Sequence, residues 1–432
     1  MDEVKKALQE PKWWFRWGVL IVMSMTMFGN YYIYDSISPL ADVLKSQLGF
    51  SDANIGLMNA MYSFPNFIMV LIGGIVIDRI GTKKAVIIFT SLCMLGSLIT
   101  VSAGNVYVMA VGRLVFGLGA ESMIVAVTTA IAKWFRGKEL SFAFGINLTI
   151  ARMGSFAALN SPTWAKALYG HWRLPLLISV AFGAVALAAA VLYIILERTA
   201  ESKFRLGKGD EPDKINLKDI FSFSKSYWLI VALCVTFYSA VFPFQTFAVK
   251  FFQEAHGTTR EFGGFLSSML TAFAMIGTPL FGFIVDRVGR RSLFMFFGSA
   301  LLIPVYLLMG YTQVNLLIPM SMMGIAFSMI PAVMWPSVAY IVDQKKLGTA
   351  YGLMTMIQNF GLAGFNMIVG WANDFGGASA QNPEGYRIGM WIFSISGFLG
   401  LVFAFLLRRS ETGPNAHGLE TITAGGKKEK EE

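Results

Sequence analysis

An acid and a base fall near the middle of two neighbouring apolar stretches, Glu121 within residues 106–133 and Arg152 within residues 138–165. At about 1.5 Å per residue, Glu121 lies about 22 Å from one end of its stretch and Arg152 about 21 Å from the opposite end of the next, so antiparallel neighbours bring both to one depth. An uncompensated charge at the centre of a bilayer costs about 2.5–3.5 kcal/mol on insertion scales, which makes such residues face a partner or a wet cavity. Two readings follow. The pair neutralises itself and staples adjacent helices, or it holds a ligand that carries one charge of each sign. The two combine if a ligand replaces each partner in turn, which limits desolvation at every stage. A planar guanidinium suits a carboxylate bidentately and a carboxylate suits an ammonium, so the complementary ligand is a small zwitterion.

The elements that must position this pair are apolar helices. Hydrophobic residues are 55% of the 432-residue chain and charged ones 14%, a balance that excludes an ordinary soluble domain and predicts an all-α membrane protein. Cys93 and Cys234 both lie inside apolar runs, which implies no disulfide framework. Twelve runs are long enough to cross a bilayer: 17–40, 52–77, 84–103, 106–133, 138–165 and 172–196, then 227–250, 262–285, 292–311, 314–342, 347–371 and 387–407. This predicts two six-helix bundles, residues 1–196 and 227–409, joined by a polar linker at 197–226 and followed by a disordered tail at 410–432. The formal charge of +9 is spread in short tracts between apolar runs, which fits loop topology and not a nucleic-acid face. Lys5, Lys6, Lys12, Arg16, Lys83, Lys84, Lys133, Arg136, Lys138, Arg287, Arg290, Arg291, Lys345, Lys346, Arg408 and Arg409 fall on one side with the linker. The other side offers Lys45, Lys166, Arg173, Lys250, Arg260 and Arg387, so both termini are expected on the cytoplasmic side.

One segment occurs twice. Gly74-Ile-Val-Ile-Asp78-Arg79-Ile-Gly81-Thr-Lys83-Lys84 returns as Gly282-Phe-Ile-Val-Asp286-Arg287-Val-Gly289-Arg290-Arg291, each after the second run of its half. A glycine-assisted turn carries an acid able to reach a helix N-terminus and cations able to bond helix C-terminal carbonyls. An ordinary basic loop accounts for one copy, but not for two at matching positions. With Arg113-Leu-Val-Phe-Gly117-Leu-Gly119 on the fourth run, whose glycines permit close helix approach, the sequence resembles the major facilitator superfamily. The glycine-proline pattern of drug antiporters is missing from Gly145 to Pro162. The resemblance implies a major facilitator fold, with two bundles rocking about a midplane site.

A narrower resemblance covers most of the chain. Tyr32-Ile-Tyr34-Asp35, Tyr62-Ser-Phe-Pro65-Asn66, Gly117-Leu-Gly-Ala-Glu121-Ser122, Ile150-Ala-Arg152-Met-Gly-Ser155, Ala240-Val-Phe-Pro243-Phe244, Trp335-Pro336 and Leu347-Gly-Thr-Ala-Tyr351-Gly352 are similar to the dipeptide-transporter branch of the superfamily. That resemblance implies dipeptide binding at Glu121 and Arg152, with substrate termini held by the two charges and side chains tolerated. Proton coupling is set against uniport, and uniport is expected because a paired Glu121 stays ionised. The competing expectation is a proton-coupled carrier of organic anions, monocarboxylates or sugar acids, in which Arg152 grips the anion and Glu121 carries the proton; a receptor or scaffold that transports nothing is more distant. Met1 to Trp13 carries no acidic dileucine sorting signal, so a plasma or inner cell membrane is expected in place of a lysosome.

Superfamily architecture places further polar and aromatic residues on cavity helices: Tyr34, Tyr62, Asn66, Tyr238, Gln245, Trp335, Gln358 and Asn359. An aromatic there is commonly packing, whereas an amide in apolar surroundings needs a partner. Asp35, Asp78, Arg79, Arg113, Asp286 and Arg287 are assigned to gating, with Arg113 either paired to an acid such as Asp35 or snorkelling outward. Phe242-Pro243-Phe244 is expected to kink its helix. His171, His256 and His417 have no Cys or acid at ligand spacing, and no glycine-rich phosphate loop is present. The chain is therefore read as no enzyme, with no metal and no cofactor. Its partners are a small-molecule substrate and the lipid bilayer, with no nucleic acid; the sequence neither requires nor excludes an accessory membrane subunit.

Overall fold

A computed structural model of the chain describes residues 11–135, 139–203, 222–343, 346–414 and 416–423. Most of the linker, the end of the tail, and Lys5, Lys6, Arg136, Lys138 and Lys345 lie outside the described residues. Among the described residues the chain is helical throughout: α1 (Trp13–Asp35), α2 (Ala41–Leu48), α3 (Asp52–Ile80), α4 (Thr82–Ser102), α5 (Val106–Phe135), α6 (Leu140–Leu159), α7 (Ser161–Trp164), α8 (Arg173–Lys203), α9 (Lys225–His256), α10 (Arg260–Val288), α11 (Arg291–Tyr311), α12 (Leu317–Ile341), α13 (Leu347–Phe375) and α14 (Arg387–Glu411). All but the short α2 and α7 answer to the twelve apolar runs.

Two runs are broken sooner than their hydropathy predicts, and proline is the reason in both. The first ends as a helix at Asp35, because Pro39 has no amide to donate to the Asp35 carbonyl; a 3-10 turn at Ser38–Leu40 then leads into α2. The fifth ends at Leu159, and Pro162 sits in the first turn of the four-residue α7. Pro243, by contrast, lies inside an unbroken α9. Both copies of the repeated segment turn at their second glycine. Gly81 and Gly289 adopt φ of 80° and 69°, the region glycine enters without penalty, directly between α3 and α4 and between α10 and α11.

By internal contact the described chain forms two compact units whose borders cut through the apolar runs. Unit one holds residues 1–37, 68–158 and 167–212, so α1, the second half of α3, α4, α5, α6 and α8. Its α4 and α5 approach so closely that a Cβ on Gly119 would come within 2.4 Å of the Phe89 carbonyl, as the Arg113 signature predicts. Lys83, from the first copy of the repeat, pairs with Glu201, while Lys133 pairs with the buried Glu197 of α8. Unit two holds residues 38–67, 159–166 and 213–432, built around α9, which buries residues along nearly its whole length against α10, α13 and α14. The chain crosses from unit two to unit one within α3, two residues after the internal Pro65.

Among the described residues, nine helices carry an 18-residue window apolar enough to cross a membrane: α4, α5, α6, α8, α9, α10, α11, α12 and α14. Helices α1 and α13 fall short. They carry Asn30 and Asp35 on α1, and Gln358, Asn359, Asn366 and Asn373 on α13, so the polarity that lowers their hydropathy includes candidate site residues.

Candidate functional site

In unit one the sequence-predicted charges converge. Tyr31, Tyr34 and Asp35 share one face of α1 by their i, i+3, i+4 spacing. Tyr31 lies within electrostatic reach of Glu121 on α5, Arg152 on α6 and Asp35, and Tyr34 within reach of Asp35, Arg113 and Glu121. Glu121 and Arg152 are each half-buried and neither charge stands alone. The Ser155 hydroxyl, from the same motif as Arg152, donates to the Asp35 carboxylate. Tyr31 is a residue the sequence reading missed; its spacing from Tyr34 and Asp35 is the signal that would have found it.

Arg113 neither snorkels nor needs a carboxylate for its main contacts. It is 1% exposed, and its two terminal nitrogens donate to the carbonyls of Ile33 at 3.0 Å and Tyr34 at 3.1 Å. The guanidinium also lies 5.2 Å from the Phe116 ring centroid and 5.8 Å from that of Tyr34. A cation on the last carbonyls of a helix satisfies acceptors that have no intrahelical donor. Arg113 thereby fixes the end of α1 from which Tyr34 and Asp35 project.

In unit two, Tyr238 and Trp335 lie in one hydrogen-bonded group and Gln358 in another. The Trp335 indole donates to the Tyr238 hydroxyl at 2.9 Å, and the Tyr351 hydroxyl donates to the Trp335 carbonyl at 3.0 Å. The Cys234 thiol donates to the Gln358 side chain at 3.6 Å, one helical turn before Tyr238 on α9. Asn359 turns back onto its own helix, donating to Thr355 at 3.1 Å. Gln245 is elsewhere: its amide donates to the Ser267 carbonyl at 3.0 Å, while its own backbone carbonyl accepts from Ser38. Asn66 is fully buried, and neither atom of its amide has a hydrogen-bond partner among the described residues. Tyr62, one turn before it on α3, is also buried.

Of the residues assigned to gating in the repeated segment, Arg79 is exposed in the last turn of α3, and the Asp78 side chain lies outside the described residues. Asp286 accepts from Arg291 at 3.2 Å, and Arg287 lies 4.1 Å from the Phe283 ring centroid.

The sequence reading missed a second charged cluster, within unit two. Lys250 on α9, fully buried, pairs with Asp52 at the start of α3, itself 1% exposed, and lies 3.5 Å from Glu254 one turn on. The second oxygen of Asp52 accepts from Asn373 on α13 at 3.0 Å, and Tyr386 donates to Glu254. Asp374 completes the arrangement by accepting the first amides of α3, from Asp52 and Ala53, both at 2.8 Å, as an N-cap supplied by another helix. Arg260 forks onto Asp42, with its Nε 3.2 Å from each oxygen. Lys45 reaches the Ala378 carbonyl at 3.1 Å and lies 3.7 Å from Glu254; burial lowers its ammonium below the ordinary lysine range. Residues 38–67 are thus fastened to α9, α10 and α13 by ionic contacts at one end of the unit. The signal was available in part: Asn359, Asn366 and Asn373 recur every seven residues, which lines one face of α13, and Asn366 accepts from Thr246 at 2.9 Å.

No group of three or more His, Cys, Asp or Glu able to hold a metal occurs among the described residues.

Both halves match the family model of the Major Facilitator Superfamily, over residues 20–259 and 240–426. The chain is 33% identical over 368 residues to the lysosomal dipeptide transporter MFSD1 of Danio rerio, covering 82% of this chain and 79% of that one. It is 32% identical over 412 residues to the human protein of the same name, covering 91% and 87%. Its fold is similar to a bacterial homologue of the human lysosomal transporter Spinster, crystallised inward-facing and unoccupied, with TM-score 0.73 at 16% identity over 93% of this chain and 98% of that one. The helices, the doubled loop and relatives above 30% identity along most of the sequence agree, and the chain belongs to the major facilitator superfamily, as a multi-pass membrane transporter and not an enzyme.

Proposed function

We propose that the chain moves dipeptides across a membrane by alternating access, as a uniporter, with Glu121 taking the substrate ammonium and Arg152 its carboxylate. The observation that carries this reading is the convergence of an acid and an arginine from adjoining helices on Tyr31, inside a unit otherwise built of apolar helices. Opposite charges held in one place match a zwitterion, and the relatives named above from Danio rerio and human are called dipeptide transporters. Tyr34, Tyr62, Asn66, Tyr238, Trp335, Gln358 and Asn359 form the second tier of the same proposal, and Asp35, positioned by Arg113 and Ser155, sets the polarity around the pair. The distribution of Lys and Arg puts both termini on the cytoplasmic side.

A thermal-shift screen of purified protein against dipeptides, free amino acids, monocarboxylates and sugar acids tests it, repeated on Arg152→Ala and Glu121→Gln. A charged hydrogen bond contributes about 1.5–3 kcal/mol, so Arg152→Ala should weaken dipeptide binding about ten- to a hundredfold. Silence toward every dipeptide with a response to simple acids sinks the proposal in favour of anion transport. Retained binding by Glu121→Gln, with only proton-driven accumulation lost, sinks the uniport assignment.

A further inference from the structure

Composition predicts disorder after Arg409, yet Ser410 and Glu411 complete α14, and residues 416–423 fold back along one end of unit two. Leu419 is completely buried there. The reason lies at the start of α11. Arg290 occupies its N-cap position at φ 50° and offers no side-chain cap. The first amides are satisfied by the tail instead. Arg290 donates to the Glu420 carbonyl at 3.1 Å, Arg291 to the Leu419 carbonyl at 3.4 Å, and Ser292 to the Glu420 carboxylate at 3.0 Å. Helix starts leave amides without intrahelical acceptors, and a carboxylate there also meets the positive end of the helix dipole. Glu420 caps α11 from 128 residues away.

The same segment engages other helix ends. The Arg291 guanidinium, 2% exposed, donates to the Ile422 carbonyl at 2.6 Å, to Asp286 at the end of α10 at 3.2 Å and to the Tyr340 hydroxyl at the end of α12 at 3.3 Å. The buried Glu411 carboxylate of α14 accepts from Ser226 of α9 at 2.6 Å and from the His417 amide at 2.9 Å, with the His417 ring at 2.8 Å. Tyr227, next to Ser226, donates to the Ala350 carbonyl of α13 at 2.8 Å. Each link is one or two hydrogen bonds, and together they reach every long helix that lies wholly in the unit.

We propose that residues 411–423 are a strap that ties the same-side ends of α9 to α14 into one plate, so that this unit moves as a single body during transport. The strap rests on membership of a transporter family and not on the identity of the substrate. It explains why a polar tail buries a leucine and a glutamate where composition calls for solvent.

Hydrogen exchange on the full-length chain in lipid nanodiscs tests it without any substrate. In Glu420→Ala the amides of residues 290–293 should exchange roughly five- to tenfold faster, the scale of a lost helix cap, with Glu420→Gln intermediate because it keeps an acceptor. In a chain truncated after Thr412, exchange should also accelerate at the distant ends, residues 338–342 and 225–228, and a synthetic peptide of residues 412–423 should slow it again. Unchanged exchange at 290–293 in Glu420→Ala overturns the proposal, and so does acceleration confined to 290–293 in the truncated chain, which would reduce the tail to a local cap. If the truncated chain does not fold, exchange at residues 338–342 and 225–228 in Glu420→Ala decides, acceleration there supporting the strap and its absence overturning it.

Discussion

Replacing Lys250 by methionine tests whether the buried charges of unit two hold residues 38–67 in place. Methionine keeps much of the stem and removes the cation, which leaves Asp52, 1% exposed, without its charged partner. Removing one member of a buried pair costs about 3–5 kcal/mol, because the remaining charge cannot be rehydrated in place. The lower end applies here, since Asn373 still donates to Asp52 at 3.0 Å and Asp52 keeps its place at the positive end of α3. A loss of about 3 kcal/mol shifts the equilibrium toward release of the segment by about two orders of magnitude. Val43, 2% exposed in α2, reports that release when changed to cysteine, because a thiol buried there reacts with maleimide only when the segment lifts. The native Cys93 and Cys234 are both buried and provide a slow background. Labelling should accelerate strongly in Lys250→Met and return most of the way toward the parent rate in Lys250→Met with Asp52→Asn, which removes the stranded charge. A labelling rate unchanged within about twofold in Lys250→Met refutes the reasoning, since a lost clamp of this size moves an equilibrium far more.

Three further outcomes are expected. Asn66→Leu removes two buried amide atoms that have no partner, so it should raise the thermal midpoint, by the equivalent of about 1–3 kcal/mol, while lowering substrate uptake; a lower midpoint would show that the amide is structurally satisfied. Trp335→Phe deletes the indole donor to Tyr238 and leaves the backbone acceptor for Tyr351 intact, so stability should fall by about 1 kcal/mol and chemical unfolding reads it directly. Burial lowers the Lys45 ammonium below its ordinary 10.5, so between the folded value and 10.5 the folded chain holds fewer protons than the unfolded one, and stability should rise with pH across that window. Lys45→Gln should flatten that rise in thermal unfolding followed against pH, and an unaltered slope would assign it to another group.

Most of the fold was legible because the bilayer constrains it so tightly. Backbone amides in hydrocarbon must be satisfied within one segment, which leaves helices as the answer for any apolar run of about twenty residues. The doubled glycine turn was equally legible, since Gly81 and Gly289 both adopt the positive φ that the motif requires. What composition misread was the chain's last section. Residues 410–414 and 416–423 are polar and glycine-containing, and the second stretch is held through a carboxylate that serves a helix start elsewhere. Such a partner is set by tertiary proximity and leaves no local pattern. The Lys250 cluster escaped for the same reason: its acid lies 198 residues away, and a lone lysine near the end of an apolar run reads as a loop charge.

The site itself was legible to the extent that it broke the rule that revealed the fold. Glu121 and Arg152 interrupt two of the nine helices that otherwise pass for spans, and the strength of that contrast is what exposed them. On α1 and α13 the contrast is diluted, because Tyr31, Asp35, Asn359, Asn366 and Asn373 lower the hydropathy of the whole helix instead of standing out from it. Periodicity is then the better guide. The i, i+3, i+4 set on α1 and the seven-residue asparagine repeat on α13 each draw one polar face down an otherwise apolar helix. A transporter must keep such faces, since an entirely apolar bundle would have nothing to exchange with a charged substrate. The helices least able to pass as membrane spans are for that reason the first place to look for residues that meet what crosses.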